Sequence, residues 1–256
     1  MQPILFVGSS RETLDRGHVA SLVAELRKSI DVRPWSEDVF RAGDVTLDAL
    51  RSALAEVDFA AIYLSADDVA TMRKAKVTVA RDNAVFELGM AMQVLGRHHA
   101  FLLLPSDSFG LHLPSDIQGV TGITFETRDV RSSALAAANI RLRIDELKGP
   151  LHGEWVQTWS VLSDKFAPDN QSRAQVAHYG KVIRAEWRTG DRSYSFRGIR
   201  EGRHVTGYWR DREDSMLYSG TAQFFVAGDA KMMSGKWCGY RDNNQIESGD
   251  WLWTRP

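Results

Sequence analysis

Arg81-Asp82-Asn83-Ala84-Val85-Phe86-Glu87-Leu88-Gly89-Met90, continued by Ala91-Met92-Gln93-Val94-Leu95-Gly96-Arg97, is the stretch on which the fold turns. As a helix capped near Asp82, it sets Val85, Leu88, Met92 and Leu95 at spacings of three, four and three, which makes one core-facing stripe. The opposite face carries Asn83, Glu87, Met90 and Val94. The helix is therefore apolar nearly all round, with Glu87 as its interior charge. Burying an unpaired carboxylate costs several kcal/mol, so Glu87 calls for a partner, a proton, or a cleft in which its charge is used.

Outward from that helix, short continuous apolar runs alternate with helical patterns. Ile4-Leu5-Phe6-Val7 ends in Gly8-Ser9-Ser10, the form of a buried parallel strand with a tight exit turn. Leu14, Val19, Leu22, Val23, Leu26 and Ile30 stripe a helix, and residues 32–35 make a second strand ending in Trp35. A loop over residues 36–44 carries Phe40, and Thr46 opens a helix with Leu47, Leu50 and Leu54 inward. Phe59-Ala60-Ala61-Ile62-Tyr63-Leu64 is the third strand, residues 101–104 the fourth and 123–125 the fifth, before a closing helix striped by Leu135, Ile140, Ile144 and Leu147. This alternation predicts a five-stranded parallel sheet with helices on both faces. Ligands of such sheets sit at the carboxyl edge of the strands, where Gly8, Ser9, Ser10, Trp35, Asp67 and Asp68 all fall, with the Glu87 helix opening nearby.

The totals bound the rest. A chain of 256 residues with 32 basic and 33 acidic side chains is nearly neutral, which argues against coating a nucleic-acid polymer or a membrane surface. A single cysteine, Cys238, excludes an intramolecular disulfide framework. The start lacks a basic leader and no apolar run approaches the roughly 18 residues that span a bilayer, so a cytoplasmic protein without a membrane segment is expected. Of eight tryptophans only Trp35 precedes Gly149-Pro150, so two domains of different architecture are expected, over 1–148 and 151–256.

The polar residues of the rim also have plain structural readings. Gly8-Ser9-Ser10-Arg11 lacks both a dinucleotide fingerprint and a P-loop, and serves equally as a turn and cap. Trp35 fits a core aromatic as well as a ligand contact. Asp67 and Asp68 fit caps for a segment starting at Val69, and Asp82 a cap paired with Arg81. His98 and His99 fit favourable charges at a helix carboxyl end and not a metal pair.

The motifs Phe6-Val7-Gly8-Ser9-Ser10, residues 35–40, Ser65-Ala66-Asp67-Asp68, Arg81 through Gly89, Leu95-Gly96-Arg97 and Leu113-Pro114-Ser115-Asp116 come in a definite order. Over roughly residues 4–125 the chain resembles the TIR-like predicted nucleotide-binding domain of bacterial anti-phage effectors of cyclic-oligonucleotide (CBASS) and cyclic-pyrimidine (Pycsar) signalling. That resemblance implies a flavodoxin-like TIR domain that cleaves NAD+ as its substrate, with no separate cofactor and no metal, and Glu87 as the catalytic residue. It further implies that Trp35 and Phe40 stack on nicotinamide or adenine, that Ser9, Ser10 and Arg11 meet ribose or diphosphate, and that Asp82 and Asn83 orient the ribose, with Asp67 also substrate-binding. The sequence departs from the usual pattern of that family at Ala91 and Gln93, behind the helix and away from Glu87.

After Leu151 the periodicity changes to two, in aromatic strands of about ten residues broken by turn residues. Seven or eight such strands close into an antiparallel barrel-like domain without exposed edges. Gly-x-Trp recurs at 153–155, 207–209, 235–237 and 249–251, which suggests bends with inward rings. Between Lys181 and Arg212 stand nine basic and four acidic side chains, read either as a solvated face or as an anion site for a nucleotide messenger. The resemblance favours a sensor for a cyclic nucleotide here, and a homo-oligomer on activation. The expected function is NAD+ glycohydrolase activity in abortive infection. The alternatives are a nucleoside deoxyribosyltransferase-like N-glycosidase and a non-enzymatic nucleotide-binding scaffold.

Overall fold

A computed structural model describes residues 1–35, 46–72, 74–107, 111–117, 122–160, 170–213, 218–240 and 245–256. They divide into two compact units, Gln2–Glu146 and Leu147–Pro256.

In the first unit, β1 (Ile4–Gly8), α1 (Arg11–Asp15), α2 (His18–Leu26), β2 (Asp31–Pro34), α3 (Thr46–Ala55) and β3 (Phe59–Tyr63) lead into a hairpin of β4 (Asp68–Met72) and β5 (Ala75–Val79). Then follow α4 (Asp82–Leu95), β6 (Ala100–Pro105), β7 (Leu111–His112), β8 (Ile123–Phe125) and α5 (Arg131–Glu146). The main sheet has five parallel strands in the order β2-β1-β3-β6-β8. Its central strand β3 is buried along its whole length, because a parallel sheet covered on both faces has no polar side to show. Phe6, Ala60 and Ile62 pack with Leu50 and Leu54 of α3 and Leu88 of α4. Successive residues of a strand face opposite ways, so Tyr63 turns to the other layer, where its hydroxyl donates to the His18 carbonyl at 3.4 Å.

Two expectations are corrected here. The segment from Val69 is not a capped helix but the first strand of a small sheet, β4-β5-β7, and Asp68 lies in that strand. Val69, which faces Thr78 across the hairpin, and its neighbours Thr71, Val77 and Val79 are β-branched residues suited to a pleated surface. His99 is not a charge at a helix end. It is buried, stacks on Phe59 at 4.8 Å and donates through Nδ1 to the Asp58 carbonyl at 3.1 Å. Burial lowers its pKa and keeps the ring neutral.

The second unit is a closed barrel of eight antiparallel strands: β9 (Gly153–Trp159), β10 (Gln171–Tyr179), β11 (Val182–Thr189), β12 (Arg192–Glu201), β13 (His204–Asp211), β14 (Ser219–Val226), β15 (Met232–Tyr240) and β16 (Ile246–Thr254). Each strand pairs with the next, and β9 closes the ring between β16 and β10. Three hairpins turn in two residues, with Gly180, Gly190 and Gly202 at positive φ where such turns favour glycine. Trp155, Trp187, Trp209, Trp251 and Trp253 point into the core, as the Gly-x-Trp repeats led one to expect for three of them. Among the described residues no helix is long and apolar enough to cross a membrane.

Candidate functional site

The buried stripe of α4 is Ala84, Glu87, Leu88 and Ala91. Glu87 is thus on the packed face, and the larger residues Val85, Met92 and Leu95 are only partly buried. The periodicity misplaced the stripe because it weights large apolar side chains. Here Ala84 and Ala91 face the core, and Asn83, Phe86 and Val94 are left exposed.

The place where Glu87 is buried follows from the strand order. The first strand hydrogen-bonds to β2 on one side and β3 on the other, so the chain reverses its direction of winding between β1 and β3. That switch point is where open α/β sheets bind ligands, beyond the carboxyl ends of the strands. Gly8 is the last residue of β1 and pairs with Ile62 of β3. A β-carbon built on Gly8 would lie 2.7 Å from Glu87 Oε2 and 2.8 Å from Ile62 Cδ1. The carboxylate of Glu87 therefore reaches the carboxyl edge of β1 beside the switch point. Its Oε2 is buried without a hydrogen-bond partner. Desolvation pushes its pKa from 4.5 up to about 7. A carboxylate so placed is neutral or charged according to what binds beside it, the condition of a group that works on a ligand.

A second group of side chains ties this rim together. Ser10 caps α1, accepting from the Thr13 backbone N–H at 3.2 Å, and donates its hydroxyl to Asp67 at 2.6 Å. The Thr13 and Ser65 hydroxyls lie 2.7 Å apart. The loop after β1 is thereby joined to the loop after β3. Alongside, Arg81 bonds Glu12 at 2.9 Å and Asp68 at 3.5 Å, and both carboxylates hold its pKa up. Glu12 carried no signal in the sequence, since a lone acid in the first turn of a helix is an ordinary surface residue. The pairing of Asp82 with Arg81 does not form, because Glu12 and Asp68 take the guanidinium.

The remaining expected residues divide. Ser9 is half-buried between Gly8 and Ser10, and Asp67 has its carboxylate inside the rim. Trp35 packs against the core, its ring 5.6 Å from Phe6, while its backbone N–H donates to the Val7 carbonyl at 2.8 Å. Arg11 is exposed and its nearest partner is Asp15 at 3.9 Å, a surface pair. Asp82 and Asn83 are exposed on the first turn of α4, and the cap position is Arg81, not Asp82. Phe40 lies outside the described residues.

In the barrel, the basic strands are tied to their own fold. Arg192 pairs with Asp211 at 3.0 Å and Arg212 with Glu186 at 3.2 Å. Arg203 donates to the Val226 carbonyl and lies 4.3 Å over Phe225, and Arg200 donates to the Gly202 carbonyl.

Residues 5–127 match the family model described as "CAP12/Pycsar effector protein, TIR domain". Pycsar effector protein BcPycTIR of Burkholderia cepacia is 40% identical over 121 residues, which is 47% of this chain and 39% of that protein. Pycsar effector protein PaPycTIR of Pseudomonas aeruginosa is 40% identical over 115 residues, 44% of this chain and 37% of that protein. CD-NTase-associated protein 12 of Flavobacterium daejeonense is 31% identical over 126 residues, 49% of this chain and 39% of that protein. The chain thus aligns with about two fifths of the length of these relatives, and the barrel lies outside the residues that the family model matches.

Proposed function

We propose, from the premise that residues 5–127 are a TIR domain of the CAP12/Pycsar effector kind, that this chain is an NAD+ glycohydrolase of anti-phage defence switched on by a cyclic nucleotide at its barrel. The observation that carries the reading is the buried, unpartnered carboxylate of Glu87 at the switch point of the parallel sheet.

The reaction suits a single carboxylate. Breaking the bond between ribose C1′ and the nicotinamide nitrogen sends the bonding pair to the ring, which leaves neutral, while positive charge develops on the ribose. Water then attacks C1′ and loses a proton, giving ADP-ribose. Because the leaving ring is cationic beforehand, no strong acid is needed. A fixed carboxylate beside the ribose stabilises the charge that appears, in a site with little water to screen it. With a pKa near 7, Glu87 is partly protonated in the free protein. A cationic nicotinamide arriving beside it favours the charged form, so substrate binding itself prepares the carboxylate.

Assembly on activation belongs to the same reading. Phe86 is 55% exposed and Val94 39%, both on α4, and exposed apolar side chains of this size suit a contact with a second copy.

The test is incubation of the purified chain with NAD+, alone and with a panel of cyclic mononucleotides and cyclic dinucleotides, following nicotinamide release and light scattering. Release with at least one activator, and its loss by about 10²- to 10³-fold in Glu87→Gln, is expected. No release under any condition, or release unchanged by the substitution, overturns the reading. Cleavage of free nucleosides with NAD+ spared points instead to a nucleoside N-glycosidase.

A further inference from the structure

The barrel contains a cavity of about 170 Å³ lined almost wholly by rings. Trp159, Trp187, Trp209, Trp237 and Trp251 surround it with Tyr194, Tyr218 and Tyr240, and Thr189 adds a hydroxyl. Trp209 meets Trp237 and Trp251 edge to face at 5.9 and 6.4 Å, and Trp187 stacks on Tyr194 at 5.6 Å. The walls are rings held rigidly by other rings. Gly239 belongs to the same construction, since a β-carbon there would lie 2.4 Å from the Trp209 ring.

Packing alone does not account for two polar atoms of this wall. Trp237 donates its indole N–H to the Ser160 carbonyl at 3.0 Å, and Trp251 donates to Gln157 at 2.7 Å. Trp209 is 8% exposed, yet its Nε1 is buried without a partner, as is the Thr189 hydroxyl oxygen. A buried donor left unsatisfied has given up its water without replacement, which is destabilising. The cost disappears when a ligand brings an acceptor.

We propose that this cavity binds the planar base of a nucleotide, stacked among the tryptophans and accepting hydrogen bonds from Trp209 and Thr189. The proposal rests on the reading of the barrel as the sensing half of the chain, and it names the site and the part of the ligand that enters. Size limits what enters. Pockets enclosing a whole drug-sized molecule measure about 300–1,000 Å³, so this one admits a single ring system and leaves sugar and phosphate outside. Arg192 stands beside the cavity, 4.3 Å over the ring of its lining residue Tyr218, with its charge already met by Asp211 at 3.0 Å. The same features disfavour an organic cation, which is the other common guest of an aromatic cage. An unpaired N–H donor presents the positive end of its dipole, which a cationic guest avoids. A base satisfies the donors and stacks on the rings.

The experiment is titration of the full chain, without NAD+, by 3′,5′-cyclic mononucleotides, cyclic dinucleotides, tetramethylammonium and a fatty acid, read by tryptophan fluorescence. Saturable quenching by at least one nucleotide is expected, weakened about tenfold or more in Trp209→Phe, which keeps one aromatic ring and deletes the N–H together with the five-membered ring that carries it. Thr189→Val, an exchange of nearly equal shape, gives an independent loss. Binding by Glu87→Gln equals that of the unaltered chain, which separates this proposal from the catalytic one: binding without nicotinamide release sinks only the glycohydrolase. Absence of nucleotide binding, binding unchanged in both barrel variants, or preference for tetramethylammonium or the fatty acid overturns the site.

Discussion

Gly8 and Glu87 share one space: the carboxylate Oε2 occupies the position next to which any β-carbon on Gly8 would stand, 2.7 Å away. The last residue of β1 is a glycine so that an acid from α4 can reach the carboxyl edge of the sheet.

Gly8→Ala therefore displaces the carboxylate without removing it. Overpacking of this kind costs about 1–3 kcal/mol of stability. If Glu87 is the catalytic group, nicotinamide release falls at least about tenfold while the substituted chain stays folded. Thermal unfolding and activity measured on one preparation check both, and full activity in the alanine variant would separate Glu87 from the chemistry.

Stability of the first unit depends on pH through the same residue. The Glu87 pKa is raised from 4.5 to about 7, so the folded state holds a proton that the unfolded chain has lost across that interval. The cost is absent below pH 4.5, grows as pH rises, and reaches at most about 3 kcal/mol above pH 7. Relative to the unaltered chain, Glu87→Gln gains stability over that window. Circular dichroism at the helical band reads it, because among the described residues all five α-helices lie in the first unit.

Ser10 and Asp67 are joined across 57 residues by a hydrogen bond to a carboxylate. Ser10→Ala loses both this bond and the cap of α1, about 2 kcal/mol or more. A double-mutant cycle with Asp67→Asn gives a coupling of about 1–2 kcal/mol, and a coupling near zero would mean that the bond does not hold the two loops together.

His178 gives the barrel a pH dependence of the opposite sign. Its Nδ1 accepts from the Leu151 N–H at 3.2 Å and its Nε2–H donates to the Gly180 carbonyl at 3.1 Å, a neutral tautomer with both nitrogens used. Burial drops its pKa from 6.5 to about 4. The unfolded chain thus takes up a proton first, and stability present above pH 6.5 is lost as pH falls towards 4, by at most about 3 kcal/mol. Tryptophan emission follows this unit, since seven of the eight tryptophans lie in it. His178→Gln removes most of the slope.

Periodicity made the strands of both units legible, because a parallel strand covered on both faces must be continuously apolar and a barrel strand must alternate. It also brought Gly8, Ser9, Ser10, Asp67 and Glu87 to one edge, since topology fixes where strands end. It failed where the pattern was short or the residues small. The hairpin of β4 and β5 gives no such signal, because an aspartate pair before a valine also fits a helix cap. Arg11, Asp82 and Asn83 match motif positions, yet they face solvent here.

By itself, then, the sequence determined the two architectures, their order, and the presence of one acid on an apolar helix, all of which are local patterns of spacing. Only the tertiary structure decided that Ala84 and Ala91 turn that acid inward, that Gly8 makes room for it, and that Trp209 and Thr189 keep unsatisfied polar atoms against a ring-lined cavity. These depend on which distant residues meet. A hydrogen bond made or missed across the fold leaves no period in the chain.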